Sequence, residues 1–251
     1  MIVAGIQHDT VWEDPAANFA HLAPMIAEAV AGGARLVVLT EMYSTGFSMK
    51  IDRTAEPPGG SSARFLVDQA REHDVMVCGS LPERADPDAL PYNQLVVALP
   101  DGTTHRYAKI HPFSYGRETR HFAAGGPTLT ITLDDVRVSF FVCYDLRFAD
   151  DFWNLAPATD CYVIPANWPA ARRDHWTTLL RARAIENQAF VVGVNRVGIG
   201  GKLAYAGDST VIGPFGETCA QAGDEETIIT ADVDPAHVRK IRAEYPFLQD
   251  R

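Results

Sequence analysis

The stretch Val138-Ser-Phe-Phe-Val-Cys-Tyr-Asp-Leu-Arg-Phe148 carries a strand pattern directly into polar residues, and a helical pattern follows at 149–156. This order predicts a sharp strand-to-helix turn with Cys143 at its corner, where nucleophiles are often displayed. The backbone N–H of Tyr144 would then point near the sulfur, as a donor to an oxyanion. A buried structural cysteine is the alternative interpretation of the same stretch.

Strand and helix patterns alternate on both sides of this stretch, which is typical of a layered α/β domain. The predicted strands cover 2–7, 35–39, 75–81, 93–99, 103–110, 136–142, 162–165, 190–195, 209–212 and 227–232. The predicted helices cover 15–32, 63–73, 149–156 and 174–188. Many strands with few helices favour two sheets packed face to face, with helices outside. A doubly wound single sheet stays open, although no GxGxxG turn follows the first strand. Since no linker interrupts the pattern, we expect one domain over residues 1–251.

The composition excludes several classes of partner. A formal net charge of −10 and scattered basic residues argue against a nucleic-acid partner. No apolar stretch reaches the length of a membrane span, and the first residues show no signal peptide. The four cysteines are widely spaced and form no CxxC pair, so neither a zinc site nor a disulfide framework is indicated. We therefore expect a cytoplasmic protein.

Two charged residues could activate the Cys143 thiol, whose free pKa of about 8.5 makes it a weak nucleophile at neutral pH. Glu41 closes the apolar run Leu36-Val-Val-Leu-Thr-Glu41 and is a candidate general base. Lys109, in Tyr107-Ala-Lys-Ile-His-Pro112, is a candidate oxyanion donor. Each residue alone is more often a solvated strand end. A Cys-His dyad with His111 or His121 as base is a competing arrangement, although neither histidine lies in a papain-like context.

The chain carries three motifs in this order: Thr40-Glu-Met-Tyr-Ser-Thr-Gly-Phe47, Tyr107-Ala-Lys-Ile-His-Pro112 and Phe141-Val-Cys-Tyr-Asp-Leu-Arg-Phe148, followed by Pro165-Ala-Asn-Trp168 and Arg181-Ala-Arg-Ala-Ile-Glu-Asn187. Together they resemble the motifs of the nitrilase or carbon-nitrogen hydrolase superfamily. The resemblance implies a four-layer αββα sandwich and a Glu-Lys-Cys triad formed by Glu41, Lys109 and Cys143. It also implies a second glutamate at Glu118, for which a loop salt bridge is the alternative role. A homodimer is common in the superfamily, and the triad requires neither a cofactor nor a metal.

The triad implies hydrolysis of a small linear amide through a thioester. Glu41 would take the thiol proton, Cys143 would attack the amide carbon, and Lys109 with the Tyr144 N–H would hold the oxyanion. Ammonia then leaves, and Glu118 would assist the water that hydrolyses the thioester. The alternative from another class is a catalytically silent interaction protein on the same fold.

The residues after the nucleophile bear on the substrate. Tyr144-Asp145 is similar to the amidase and omega-amidase side of the superfamily, whereas nitrile-hydrolysing members usually carry Trp-Glu there. Leu146 departs from the paired arginines of N-carbamoyl hydrolases, although that activity stays an alternative beside nitrile hydrolysis. Arg147 either grips a substrate carboxylate, as an omega-amidase would need, or forms an internal ion pair with Asp145 or another acid at the helix start. Short aliphatic amides need no such grip. The candidate pocket walls, each equally compatible with the core, are Tyr43, Phe47, Phe113 and Trp168.

Overall fold

Two mixed β-sheets and a separate hairpin organise residues 1–250, the part of the chain that this computed structural model describes. The strands are β1 (Ile2–Gln7), β2 (Leu36–Val38), β3 (Met76–Glu83), β4 (Tyr92–Ala98), β5 (Thr104–Ala108), β6 (Leu129–Leu133), β7 (Val136–Phe140), β8 (Cys161–Ala166), β9 (Phe190–Asn195), β10 (Val197–Gly200), β11 (Leu203–Ala206), β12 (Thr210–Ile212), β13 (Thr218–Gln221) and β14 (Thr227–Asp232). The helices are α1 (Pro15–Ala31), α2 (Ile51–Thr54), α3 (Ser61–His73), α4 (Ala149–Leu155), α5 (Arg173–Asn187) and α6 (Pro235–Glu244).

Each large sheet has a parallel centre with antiparallel strands on both sides. The first has the order β14-β1-β2-β3-β4-β5, with β1, β2 and β3 parallel. The second has the order β13-β12-β9-β8-β7-β6, with β7, β8 and β9 parallel. Because the residues that follow β2, β7 and β8 leave the carboxyl ends of parallel strands, both sheets deliver loop residues to a shared edge.

The sheets pack against each other through one face and against helices through the other. Successive side chains of a strand point to opposite faces, so Val3 and Ala4 belong to different apolar clusters. Ala4 packs with Leu22 of α1 and Leu66 of α3 outside the first sheet. Val3 lies in the cluster that joins the two sheets and continues to α4 and α5. The layers therefore run helices, sheet, sheet, helices, which confirms the predicted four-layer αββα sandwich.

Several short elements depart from the sequence prediction. Strands β10, β11 and β13 were not predicted, because each is short and only partly buried. Strand β6 was also not predicted, although Leu129-Thr-Ile-Thr-Leu133 shows the alternation of a half-buried strand. Helix α6 was also not predicted, although Asp234 caps it and proline opens it. Strand β2 ends at Val38, so Glu41 lies in the turn beyond the strand and does not close it. Organisation as a single domain stays a prediction, and none of the described helices is long and apolar enough to cross a membrane.

Candidate active site

Cys143 begins a 3-10 turn over Cys143–Arg147, just beyond β7. Its φ of 47° is left-handed, a backbone conformation that costs a non-glycine residue on the order of 1–2 kcal/mol. The side chain is 8% exposed and faces a cavity. The strand therefore ends in a tight turn that presents the sulfur, as the sequence predicted.

The Asp145 carboxylate holds this turn in place. It accepts the backbone N–H of Val142 at 2.9 Å, the Tyr107 hydroxyl at 2.8 Å and the backbone N–H of His111 at 2.9 Å. Burial raises the pKa of Asp145 to about 6, against the lowering effect of the Lys109 charge and these hydrogen bonds. Asp145 thus links the nucleophile turn of the second sheet to the Lys109 loop of the first. Sequence reasoning considered it only as a partner of Arg147.

Lys109 lies between two buried carboxylates. Its Nζ is 2.8 Å from Oε1 of Glu41 and 2.9 Å from Oε2 of Glu118, and all three side chains are inaccessible to solvent. Glu118 also accepts the backbone N–H of Phe113 at 2.5 Å. The structure therefore brings the four predicted catalytic residues, Cys143 included, into one cluster.

Two asparagines that sequence reasoning did not assign orient the carboxylates. Asn93 donates through Nδ2 to Oε1 of Glu41 at 2.8 Å and to Oε1 of Glu118 at 3.0 Å. Asn167 donates its backbone N–H to Oε2 of Glu41 at 2.8 Å. The Pro-Ala-Asn-Trp stretch pointed to Asn167, whereas Asn93 is the first residue of the predicted strand over 93–99 and no motif surrounds it.

Burial and the Glu41 charge favour the protonated form of the resting thiol. Burial alone would lower the pKa of Lys109, but Glu118 and Glu41 outweigh it and raise that pKa well above its usual value. Burial and the Glu41 carboxylate raise the pKa of the Cys143 thiol well above its usual value, while Lys109 opposes the rise. A neutral thiol beside a carboxylate that hydrogen-bonds to it needs that carboxylate as a base in order to attack.

A cavity of about 330 Å³ opens onto the sulfur. Phe47, Phe113 and Trp168 line it, as the sequence predicted, together with Cys143, Tyr144 and Arg147. Asn167, from the Pro-Ala-Asn-Trp stretch, also lines the cavity. Further lining residues that the sequence did not point to are Met49, Tyr115, Gly116, Pro169, Arg172, Leu203 and Tyr205. The hairpin β10–β11 supplies Leu203 and Tyr205. His111 and His121 do not line the cavity, and His111 Nε2 instead pairs with Asp151 Oδ2 at 2.6 Å.

The prediction for Tyr43 is corrected by the structure, because its ring does not line the cavity. Tyr43 is fully buried between the first sheet and its helices, near the rings of Phe19 and Phe65. Its hydroxyl donates to the backbone oxygen of Ser62 at 2.5 Å. Tyr43 therefore belongs to the core.

Arg147 faces the cavity and makes no ion pair with Asp145. Its guanidinium lies over the Trp168 ring, 4.8 Å from the centroid, and 5.9 Å from the centroid of Tyr144. Its Nη2 donates to Nδ1 of His175 at 3.0 Å. Of the two roles considered for Arg147, this position fits the substrate-facing one.

An αββα sandwich that places a thiol, an ammonium and two carboxylates beside one cavity has the architecture of a cysteine-dependent hydrolase. A profile of carbon-nitrogen hydrolases matches residues 2–243. The chain therefore belongs to the carbon-nitrogen hydrolase family.

Relatives agree with this assignment over nearly the full length. The omega-amidase YafV of Escherichia coli (strain K12) is 36% identical over 98% of this chain and 94% of its own. The 2-oxoglutaramate amidase of Bacillus subtilis (strain 168) is 33% identical over 99% and 96%. A crystal structure of a CN-hydrolase superfamily protein from Xanthomonas campestris, with an arsenic adduct in its active site, superposes with a TM-score of 0.94. It is 36% identical, with 100% of this chain and 97% of that chain covered. The protein is thus an enzyme that hydrolyses the carbon-nitrogen bond of a linear amide.

Proposed function

We propose that the protein is an omega-amidase, which removes the terminal amide of a dicarboxylic acid monoamide such as 2-oxoglutaramate or 2-oxosuccinamate as ammonia. The observation that carries the proposal is the cavity position of Arg147, whose guanidinium faces the same space as the Cys143 sulfur. A guanidinium there can bind a carboxylate at the far end of an acid while the amide reaches the thiol. The names of the Escherichia coli and Bacillus subtilis relatives agree with this substrate class.

The geometry supports a ping-pong mechanism. Glu41 takes the proton of the Cys143 thiol, and the sulfur attacks the amide carbon. Lys109 and the backbone N–H of Tyr144 hold the oxyanion of the tetrahedral intermediate. Glu41 returns the proton to the leaving nitrogen, which departs as ammonia and leaves a thioester. Water then attacks the thioester, with Glu41 as base and Glu118 positioning the water, and the acid leaves.

Ammonia release distinguishes this substrate class from the others. The purified enzyme is assayed with 2-oxoglutaramate, short aliphatic amides, N-carbamoyl amino acids and nitriles, and Cys143→Ala is the blank. We expect kcat/KM to be highest for 2-oxoglutaramate, because it offers Arg147 a carboxylate, which short aliphatic amides and nitriles lack, and presents a simple carboxamide to the thiol, where N-carbamoyl amino acids present a ureido group. Equal or higher kcat/KM for a neutral amide would contradict the omega-amidase proposal and favour an aliphatic amidase.

Lys109→Ala tests the oxyanion role. Loss of one donor to the oxyanion costs on the order of 3 kcal/mol, so turnover should fall at least about a hundredfold. The variant also leaves Glu41 and Glu118 buried without their shared cation, which should lower stability by about 3–5 kcal/mol. Turnover and thermal unfolding are measured together, with Lys240→Ala on the exposed face of α6 as the matched control. A folded Lys109→Ala enzyme with parental turnover would refute the assigned role.

We also propose a homodimer or a higher homo-oligomer. Exposed apolar side chains cluster where α5 approaches the chain's final turn: Ile185 is 50% exposed, Phe215 57% and Phe247 58%. The Phe215 and Tyr245 rings stack at 5.0 Å within this cluster. Such patches on a protein surface commonly mark interfaces. Sedimentation equilibrium of the purified protein tests the proposal, and a monomer at micromolar concentration would contradict it.

A cytoplasmic location is proposed on the basis of the cysteines. All four are free, and Cys78, Cys143 and Cys161 are buried. The nucleophile must stay reduced, which a reducing compartment ensures. Fractionation of the native host, followed by detection of the protein, tests this location.

A further inference from the structure

The cavity wall contains a second arginine whose charge nothing in the described residues neutralises. Arg172 lies at the loop before α5, with its guanidinium 5.4 Å from the centroid of the Phe113 ring. Within residues 1–250, its side-chain N–H groups have neither a hydrogen-bond acceptor nor an ion-pair partner. By contrast, the adjacent Arg173 forms a bidentate pair with Asp208, at 2.9 and 2.7 Å. The fold therefore supplies a carboxylate partner for Arg173 and leaves the Arg172 guanidinium facing the cavity.

The backbone of Arg172 is held firmly in place. Its N–H donates to the backbone oxygen of Pro169 at 2.9 Å, and its backbone oxygen accepts the indole N–H of Trp168 at 2.8 Å. Because the Trp168 ring also carries the Arg147 guanidinium, both arginines are positioned by the same residue. Ligand-binding groups gain affinity when their geometry is fixed before the ligand arrives.

The cavity is cationic although the protein is acidic. Its lining includes Arg147 and Arg172 and, among the described residues, no aspartate or glutamate, whereas the whole chain carries a formal charge of −10. One N–H of Arg147 is already used by His175. Two guanidinium groups offer more donors than a lone carboxylate needs, so the site suits an anion with an additional acceptor oxygen nearby.

We infer that Arg172 is a specificity-determining residue that acts with Arg147 to bind a carboxylate flanked by a 2-oxo oxygen at the far end of the amide substrate. This inference rests on the proposed omega-amidase function and adds to it a preference between 2-oxo and 2-amino acid amides. A 2-ammonium group at the same position, as in glutamine, would approach two guanidinium groups and be repelled. The site thus selects 2-oxo acid amides over their 2-amino counterparts.

Four substrates with an unsubstituted terminal amide separate the effects of the carboxylate, the 2-oxo oxygen and a 2-ammonium group on catalysis. They are 2-oxoglutaramate, glutaramate, L-glutamine and butyramide. Glutaramate lacks the 2-oxo oxygen, glutamine carries an ammonium there, and butyramide has no charged group. For Arg172→Gln, we expect KM for 2-oxoglutaramate to rise tenfold or more, with a smaller rise for glutaramate and no change in kcat/KM for butyramide. Arg172→Lys keeps the charge without the planar donor fork, and should recover only part of the loss.

The control is Arg64→Gln, which removes an exposed arginine charge on α3, far from the cavity lining. It should leave all four substrates unchanged. An equal loss for butyramide and 2-oxoglutaramate in Arg172→Gln would show a structural role and overturn the inference, as would unchanged KM for both acids. If the parent enzyme itself hydrolyses butyramide but neither acid amide, the proposed function fails, and this result appears without any variant.

Discussion

Cys143→Ala should release no ammonia above the non-enzymatic rate from any amide, because no other side chain beside the cavity can form the thioester. The change removes one sulfur from a side chain that is 8% exposed, and it leaves the contacts among Glu41, Lys109 and Glu118 intact. The fold and the binding of substrate should therefore survive. Ammonia release and thermal unfolding with and without 2-oxoglutaramate measure both properties.

Two further measurements sharpen this test. Rapid acid quenching of the parent enzyme during turnover should trap a protein whose mass has increased by the acyl group, and Cys143→Ala should show no increase. Cys219→Ala is the matched control, because Cys219 is exposed and outside the cavity, and it should retain parental turnover. Residual ammonia release by pure Cys143→Ala protein would mean that sulfur is not the nucleophile.

The Glu41→Gln enzyme should lose turnover, while its Cys143 thiol should become more reactive toward alkylation. Loss of a general base typically costs a factor of about 10²–10⁴ in rate. The Glu41 charge and its hydrogen bond both raise the pKa of Cys143, whereas Lys109 lowers it. Without the carboxylate charge, the ammonium of Lys109 is the remaining charge that acts on the sulfur. It stabilises the thiolate, so the pKa of Cys143 should fall. The rate of iodoacetamide labelling at Cys143 should then rise at lower pH than in the parent.

Labelling of Cys219 in the same samples is the internal reference for these pH profiles, since that cysteine is exposed. The glutamine oxygen can keep the donors Lys109 and Asn93, but its NH₂ group would face the backbone N–H of Asn167. We expect this mismatch to lower stability by about 1–3 kcal/mol, so folding is checked before the kinetics. If Cys143 labelling slows in Glu41→Gln along with turnover, Glu41 promotes the thiolate already in the resting enzyme, and the pKa-raising effect assigned to the Glu41 charge is wrong.

The sequence predicted the residues of the cluster better than their surroundings. Cys143 sits at a pattern boundary, where an apolar strand meets polar residues, and Glu41 likewise follows an apolar run, while Lys109 lies near the end of the predicted strand over 103–110. Such boundaries are visible in one chain because burial changes abruptly there. Asn93 opens the predicted strand over 93–99, but no motif distinguishes it from any other polar strand end, and only the pairing of β4 with β3 and β5 brings it to both glutamates.

The sequence also did not fully predict which side chains line the cavity. Tyr43 and Phe47 belong to one motif and are both aromatic, yet one packs in the core and the other lines the cavity. The turn that begins at Glu41, with Met42 at a φ of 43°, decides which ring points where. Arg172 was overlooked because it stands beside Arg173 in a polar run, and only the Asp208 pair distinguishes the two. These assignments depend on tertiary contacts that no local pattern encodes.

The hairpin β10–β11 separates substrate choice from chemistry. It pairs with neither large sheet as a ladder and touches the rest of the chain through isolated bridges such as Pro169 with Tyr205. It nevertheless contributes Leu203 and Tyr205 to the cavity. The catalytic cluster, by contrast, is formed by residues that follow strands of the two large sheets. Substitutions of Leu203 in this ribbon should change the shape of the cavity without breaking the contacts of Lys109 with Glu41 and Glu118. We therefore expect this peripheral segment to be a place where the range of accepted amides can change while the reaction stays the same.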